Sequence, residues 1–261
     1  MLRQSIGSAL VLLAAMLLAG CFPAGDASAP IPHALVPAKV QATRLVVVLP
    51  GRADDLAAMQ RSGMAKAVQS AWPDADVILT GLALNHYMQG RAPQRLHEEI
   101  VVPARRHGYR EVWLAGASMG GMGTLMYDQA YPGEMDGLLL LAPYLGEEPL
   151  LREIADAGGI AAWNAGPPRA MNADNFQHEL WRHIQGWANQ PEKSADVWLA
   201  YGDRDRLRKA MPLLAPALRA DQVLERKGGH DWNLWSAVTA EILASVERRR
   251  KDPETQRSSV P

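Results

Sequence analysis

The chain has 261 residues, 48% of them hydrophobic and 21% charged, with a formal net charge of −1. These proportions suit one large globular domain, and the near-neutral balance argues against an electrostatic nucleic-acid binder. The single cysteine, Cys21, excludes an internal disulfide and a cysteine-rich metal site.

The first twenty residues differ from the rest. Arg3 gives a positive start, and Ile6 to Leu18 is an apolar stretch of 13 residues. That is short for crossing a ~30 Å hydrocarbon core, but it has the proportions of a secretory signal. It ends in Leu18-Ala19-Gly20-Cys21, which resembles the bacterial lipoprotein lipobox. The resemblance implies a signal peptide over residues 1–20, acylation of Cys21 and membrane contact through an N-terminal lipid, because two acyl chains hold where one binds marginally. A plain signal peptide with an incidental cysteine is the alternative. In lipoproteins an aspartate after the cysteine goes with inner-membrane retention. Phe22 stands there, so the resemblance implies the outer membrane of a bacterial cell envelope. Residues 21–43, with Pro, Ala, Gly and Ser and little periodicity, read as an extended tether. His33 lies in it and is given no catalytic part. Residues 248–261 read as a polar tail.

Between these ends, over 44–247, short apolar runs alternate with longer amphipathic ones. "RLVVVLPG" is a β-branched run stopped by Pro-Gly, as a strand buried on both faces would be. Leu56, Met59, Met64, Val68 and Trp72 then recur near helical spacing. "ADVILTGL" is a second strand, followed by a helix over "PQRLHEEIVVPARRHGY" that Pro103 should bend. "EVWLAGAS" makes a third strand, and Met122, Leu125 and Met126 lie on one side of the helix after it. "MDGLLLLAPY", "DVWLAYGD" and the weaker "QVLERKGG" complete six strands. A helix carrying Trp235, Val238, Ile242 and Val246 closes the domain. The stretch 145–195 has no strand signal, holds Trp163, Phe176, Trp181 and Trp187, and reads as a helical cap inserted over the strand ends. The expected fold is therefore α/β, a mostly parallel sheet of six strands with helices on both faces. Ligands in such sheets gather beyond the carboxyl ends of the strands.

One strand-to-helix junction has the composition of a reactive turn. Gly116-Ala117-Ser118-Met119-Gly120 is G-x-S-x-G in the context that pattern requires. A sharp turn there would lift the Ser118 hydroxyl clear of the sheet. Side chains two residues to either side would collide, which accounts for both glycines. The first N–H groups of the next helix would face whatever the serine attacks.

A serine hydroxyl needs a base, and the base needs an orienting acid. His230, in "KGGHDWNLW" after the last strand, fits the base. His86, His97, His107, His178 and His183 precede that position and read as surface or packing residues. Two carboxylates follow the strand "DVWLAY", Asp203 and Asp205. The arrangement resembles that of serine hydrolases, in which the acid stands three places past the strand-end glycine; the resemblance implies Asp205, three past Gly202, and leaves Asp203 as a turn residue bonding its own backbone. Asp231 points elsewhere as a sequence neighbour of His230.

The order Ser118, Asp205, His230, with the elbow and the strand-helix alternation, resembles the α/β-hydrolase superfamily. The resemblance implies a serine esterase that cleaves carboxylic esters through an acyl-enzyme. It assigns an oxyanion hole to the backbone N–H groups of Met119 and of Arg52, or of Gly51 in "LPGRADD". It implies neither cofactor nor metal, no nucleic acid, and a small-molecule or lipid ester as substrate. A thioesterase or acyltransferase on the same triad is the alternative, and an inactive envelope-binding lipoprotein is the alternative of another class. The cap aromatics, with Trp232 and Trp235, would either line an acyl pocket or pack the core.

Overall fold

The computed structural model describes residues 25–251. The six expected runs are parallel strands: β2 (Arg44–Leu49), β3 (Ala75–Thr80), β4 (Glu111–Ala117), β5 (Gly137–Leu141), β6 (Val197–Gly202) and β7 (Val223–Arg226). Residues 45–49 of β2 and all of β5 and β6 are buried, as the unbroken apolar runs require of strands covered on both faces. One further strand, β1 (His33–Val36), makes the sheet seven-stranded, in the order β1-β3-β2-β4-β5-β6-β7.

β1 lies inside the stretch expected to be a tether. It pairs antiparallel with β3, His33 opposite Thr80 and Val36 opposite Val77. His33 and Leu35 are exposed while Ala34 and Val36 are half-buried, so this is a one-sided edge strand too short for its alternation to stand out. The residues before it are fastened as well. The Arg95 guanidinium donates to the carbonyls of Ala27 and Ala29 and pairs with Glu99. Glu99 in turn accepts the Ile31 N–H at 2.7 Å, and Asn85 donates to the Gly25 carbonyl at 2.7 Å.

The first expected helix is two, α1 (Leu56–Arg61) and α2 (Met64–Ala71), separated by Gly63 at φ 82°. After β3 come α3 (Leu84–Met88) and α4 (Ala92–Leu96), then a π turn at His97–Val101 leading into α5 (Val102–His107). Pro103 has no N–H for the Glu99 carbonyl, and its ring would crowd that oxygen in an α-helix. The wider turn just before it lets the helix continue.

Central to the fold is α6 (Met119–Ala130), whose residues from Met119 to Tyr127 are all buried. The stretch expected as a cap holds α7 (Glu148–Asp156) and α8 (Phe176–Asn189). α8 is a helix of 14 residues. It runs beside α6, His183 Nε2 meeting Asp128 Oδ2 at 2.7 Å, and leads through a 3-10 turn at Pro191–Ser194 into β6, as a crossover helix does. Trp163, Trp181 and Trp187 are core residues, and Phe176 packs at the core's edge. The Trp181 indole satisfies its N–H on the Leu145 carbonyl at 2.7 Å. α9 (Met211–Leu214) precedes β7, and α10 (Trp232–Lys251) packs on α2, four residues longer than the domain limit expected at 247.

Candidate active site

The turn after β4 is strained in the way the glycines predict. Ser118 has φ 55° and ψ −114°, a region that costs a non-glycine residue roughly 1–3 kcal/mol. A Cβ on Gly116 would stand 2.1 Å from the Gly120 carbonyl oxygen, and one on Gly120 would stand 2.5 Å from that of Leu49. Both obstructions are backbone, so only hydrogen fits.

The strain is held from the side of β5. The Ser118 N–H donates to the Leu141 carbonyl at 2.9 Å, and the Ser118 carbonyl accepts from Met122 at 3.1 Å and from Tyr144 at 2.9 Å. Ala142, between them, is the other described non-glycine residue at positive φ, 44°. Two adjacent strand ends thus brace each other in unusual conformations. Sequence reasoning passed over Ala142 and Tyr144, since nothing in "LAPYL" marks a positive φ.

His230 and Asp205 come together. Asp205 is fully buried, and its oxygens lie 2.9 and 2.8 Å from His230 Nδ1. The Leu207 N–H donates to the same carboxylate at 2.7 Å. An acceptor at Nδ1 fixes the proton there in the neutral ring, so Nε2 carries the lone pair. That Nε2 is buried and makes no hydrogen bond among the described residues. Trp235 meets the imidazole edge-on, with ring centres 4.8 Å apart at 84°. It walls one side of the ring.

The competing carboxylates have other tasks. Asp203 is exposed, and its Oδ1 accepts the Gly228 N–H at 3.0 Å, tying the β6 loop to the histidine loop. This corrects the expectation that it bonds its own backbone. Asp231 accepts the N–H groups of Asn233 and Leu234 at 3.0 and 3.2 Å and caps α10. Among the other histidines, His97 stacks on Tyr131 with centres 4.0 Å apart. His183 pairs with Asp128, ten residues or ~15 Å along α6 from Ser118.

Both backbone donors expected at the oxyanion position are without an acceptor among the described residues. Met119 is the first residue of α6, where N–H groups have no intrahelical acceptor. Gly51, the alternative to Arg52, gives its N–H to Asp54 Oδ2 at 3.1 Å. The Arg52 N–H donates to no described residue. Asp54 was missed by the sequence reading, although an aspartate three places after a turn glycine is a signal for such a bond.

Neither a 310 Å³ groove beside β1 nor a 760 Å³ cleft between α6 and α8 is lined by Ser118, Asp205 or His230. Among the described residues, no group of three or more His, Cys, Asp or Glu side chains is placed to hold a metal ion. No described helix is long and apolar enough to cross a membrane. Cys21 and the signal-peptide stretch lie outside the described residues.

A mostly parallel sheet covered by helices on both faces, with its sharp serine turn between β4 and α6, is the α/β-hydrolase fold. Three solved structures share it. Est1E from Butyrivibrio proteoclasticus is 14% identical with a TM-score of 0.56, over 84% of this chain and 94% of that one. The monoacylglycerol lipase of Paleococcus ferrophilus is 14% identical with a TM-score of 0.55, over 83% and 99%. The S-formylglutathione hydrolase of Staphylococcus aureus is 13% identical with a TM-score of 0.53, over 78% and 81%. At such identities the likeness is one of fold. No protein-family model matches the chain, and no curated protein matches it in sequence.

Proposed function

We propose that this chain is a serine hydrolase that cleaves carboxylic esters of small to medium acyl length, held at the bacterial cell envelope by acylation of Cys21. Ser118 Oγ attacks the ester carbonyl carbon as its proton passes to His230 Nε2. The developing oxyanion takes hydrogen bonds from the N–H groups of Arg52 and Met119, each worth about 3–4 kcal/mol in the transition state. Collapse breaks the carbon–oxygen bond to the alcohol, which leaves with the proton from Nε2, and Ser118 carries the acyl group. A water then loses its proton to Nε2 and attacks. The second tetrahedral intermediate expels Ser118, which regains that proton, and the acid departs. Asp205 holds the ring in the required tautomer and stabilises the imidazolium throughout.

The observation that carries this reading is a pair of costly arrangements in one fold. Ser118 sits at positive φ beyond β4, and a fully buried carboxylate is spent on the Nδ1 of a histidine whose Nε2 has no partner. Neither arrangement does anything for stability that a cheaper residue would not do. A ferulic acid esterase and a monoacylglycerol lipase among proteins of the same fold are consistent with the reaction class.

Labelling with a fluorophosphonate probe tests it. The wild-type chain should label and hydrolyse p-nitrophenyl esters, and Ser118→Ala should do neither at an unchanged melting temperature. A wild-type protein that does not label, or a Ser118→Ala variant that still turns over ester, refutes it.

A further inference from the structure

We infer that Asp54 is a positioning residue that joins the loop after β2 to the histidine loop and decides which backbone N–H is left facing the oxyanion. The inference rests on the reading of Ser118 as a nucleophile. Asp54 Oδ2 accepts two hydrogen bonds, from the Gly51 N–H at 3.1 Å and from the Trp232 indole N–H at 3.0 Å. Its own N–H returns to the Gly51 carbonyl at 3.2 Å, so the turn Gly51–Asp54 is closed in both directions. The contact with Trp232 spans 178 residues of sequence and joins the two loops directly. From Trp232 the path continues edge-on to Trp235, 5.0 Å between centres, and from Trp235 edge-on to His230, 4.8 Å. The base and one of the two oxyanion donors are thereby referred to the same carboxylate.

The chemistry of the shared oxygen gives the arrangement its consequence. A carboxylate oxygen accepts two donors at once and binds each more strongly than a neutral acceptor would. With the Gly51 N–H consumed, the Arg52 N–H is the one of the two candidate oxyanion donors of this loop that stays uncommitted among the described residues. Without Asp54, the Gly51 N–H and the indole N–H both lose their acceptor and the loop loses its reference to the histidine. A turn-stabilising role alone would predict a loss of melting temperature and nothing specific to turnover. A positioning role predicts a loss in kcat, because the donors matter only once charge develops on the oxyanion.

Three variants of the full chain, Asp54→Ala, Asp54→Asn and Trp232→Phe, test this with p-nitrophenyl acetate and thermal denaturation. Asp54→Ala should lower kcat about 10²-fold, the effect of misplacing a reacting group by about 1 Å, with KM little changed. Asp54→Asn can keep a carbonyl oxygen at the shared position and should recover most of the loss. Trp232→Phe keeps the ring, loses the N–H and should fall between. Trp232→Phe added to Asp54→Ala should cost nothing more, since both act through one oxygen. The proposal is overturned by an Asp54→Ala enzyme within twofold of wild-type kcat, by an Asn variant as impaired as Ala, or by a loss of turnover that only accompanies unfolding. Amide exchange at Gly51 separates this from the enzymatic reading. Exchange at least tenfold faster in Asp54→Ala supports the tie even in a protein that neither labels nor hydrolyses. Unchanged exchange overturns it.

Discussion

Adding one methyl group at Gly116 should disable the site and destabilise the fold together. An alanine Cβ there would stand 2.1 Å from the Gly120 oxygen, 2.3 Å from its carbonyl carbon and 2.5 Å from Thr124 Oγ1. Two of these atoms are backbone in the first turn of α6, so no rotamer change relieves the contact. Restoring ordinary van der Waals separation of about 3.4 Å requires β4 and α6 to part by about 1.3 Å at the turn, the difference between 3.4 and 2.1. Overpacking of this kind typically costs 1–3 kcal/mol, and a backbone obstruction puts Gly116→Ala near the top, at about 3 kcal/mol. For a domain of this size that corresponds to roughly 6–12 °C in Tm. With Ser118 as the nucleophile proposed above, the same movement displaces its hydroxyl from the reacting position, and an ångström of misplacement costs about 10² in rate. Differential scanning calorimetry and the rate of fluorophosphonate labelling measure the two effects. A Gly116→Ala protein that labels at the wild-type rate and melts within 1 °C of wild type would refute the reasoning about the turn.

Gly186 lies inside α8 with nothing within 4 Å of a would-be Cβ, so Gly186→Ala should stabilise the protein by about 0.5–1 kcal/mol, and a lower Tm would count against it. His86 is buried in α3, and burial holds its pKa below the ordinary 6.5; the Ala83 carbonyl pulls the other way, and the charge of Arg95 adds to the lowering. Just below pH 6.5 the unfolded chain takes up a proton that the folded chain refuses, so its stabilising share is complete above that pH and is lost as pH falls towards the folded value. Melting temperature measured from pH 7.5 to 5.5 should drop less steeply in His86→Gln than in wild type, and identical slopes would refute the assignment.

Much of the fold was legible because the decisive signals are local. The runs at 45–49, 137–141 and 197–202 are buried strands that read as such from composition. The glycines at 116 and 120 announce the turn between them, and the family resemblance pointed to Asp205, which lies against His230 Nδ1. What escaped depends on partners distant in sequence. β1 exists because β3 offers it an edge, and four residues with one half-buried face carry too little pattern to be seen alone. The π turn is a response to Pro103, where the sequence predicted only a bend. Asp54 drew no notice in the sequence, because its second partner is an indole 178 residues away. The aromatics of 145–195 were visible as apolar, but whether they face a ligand or the core is decided by α8 lying along α6. Trp163, Trp181 and Trp187 face the core.

The clasp formed by Arg95 and Glu99 changes how far the molecule can stray from an anchor. A free chain from Cys21 to Arg44 could extend roughly 80 Å, at about 3.5 Å per residue. Gly25, Ala27, Ala29 and Ile31 are held by Asn85, Arg95 and Glu99, and Cys21 stands only four residue steps before Gly25 in the sequence. Four such steps reach at most about 14 Å. The point of departure, beside α3, follows the carboxyl end of β3, and β3 runs parallel to the strand that ends at Ser118. With the acyl anchor proposed at Cys21, the body is moored rather than leashed, and it is moored by the rim that carries the serine.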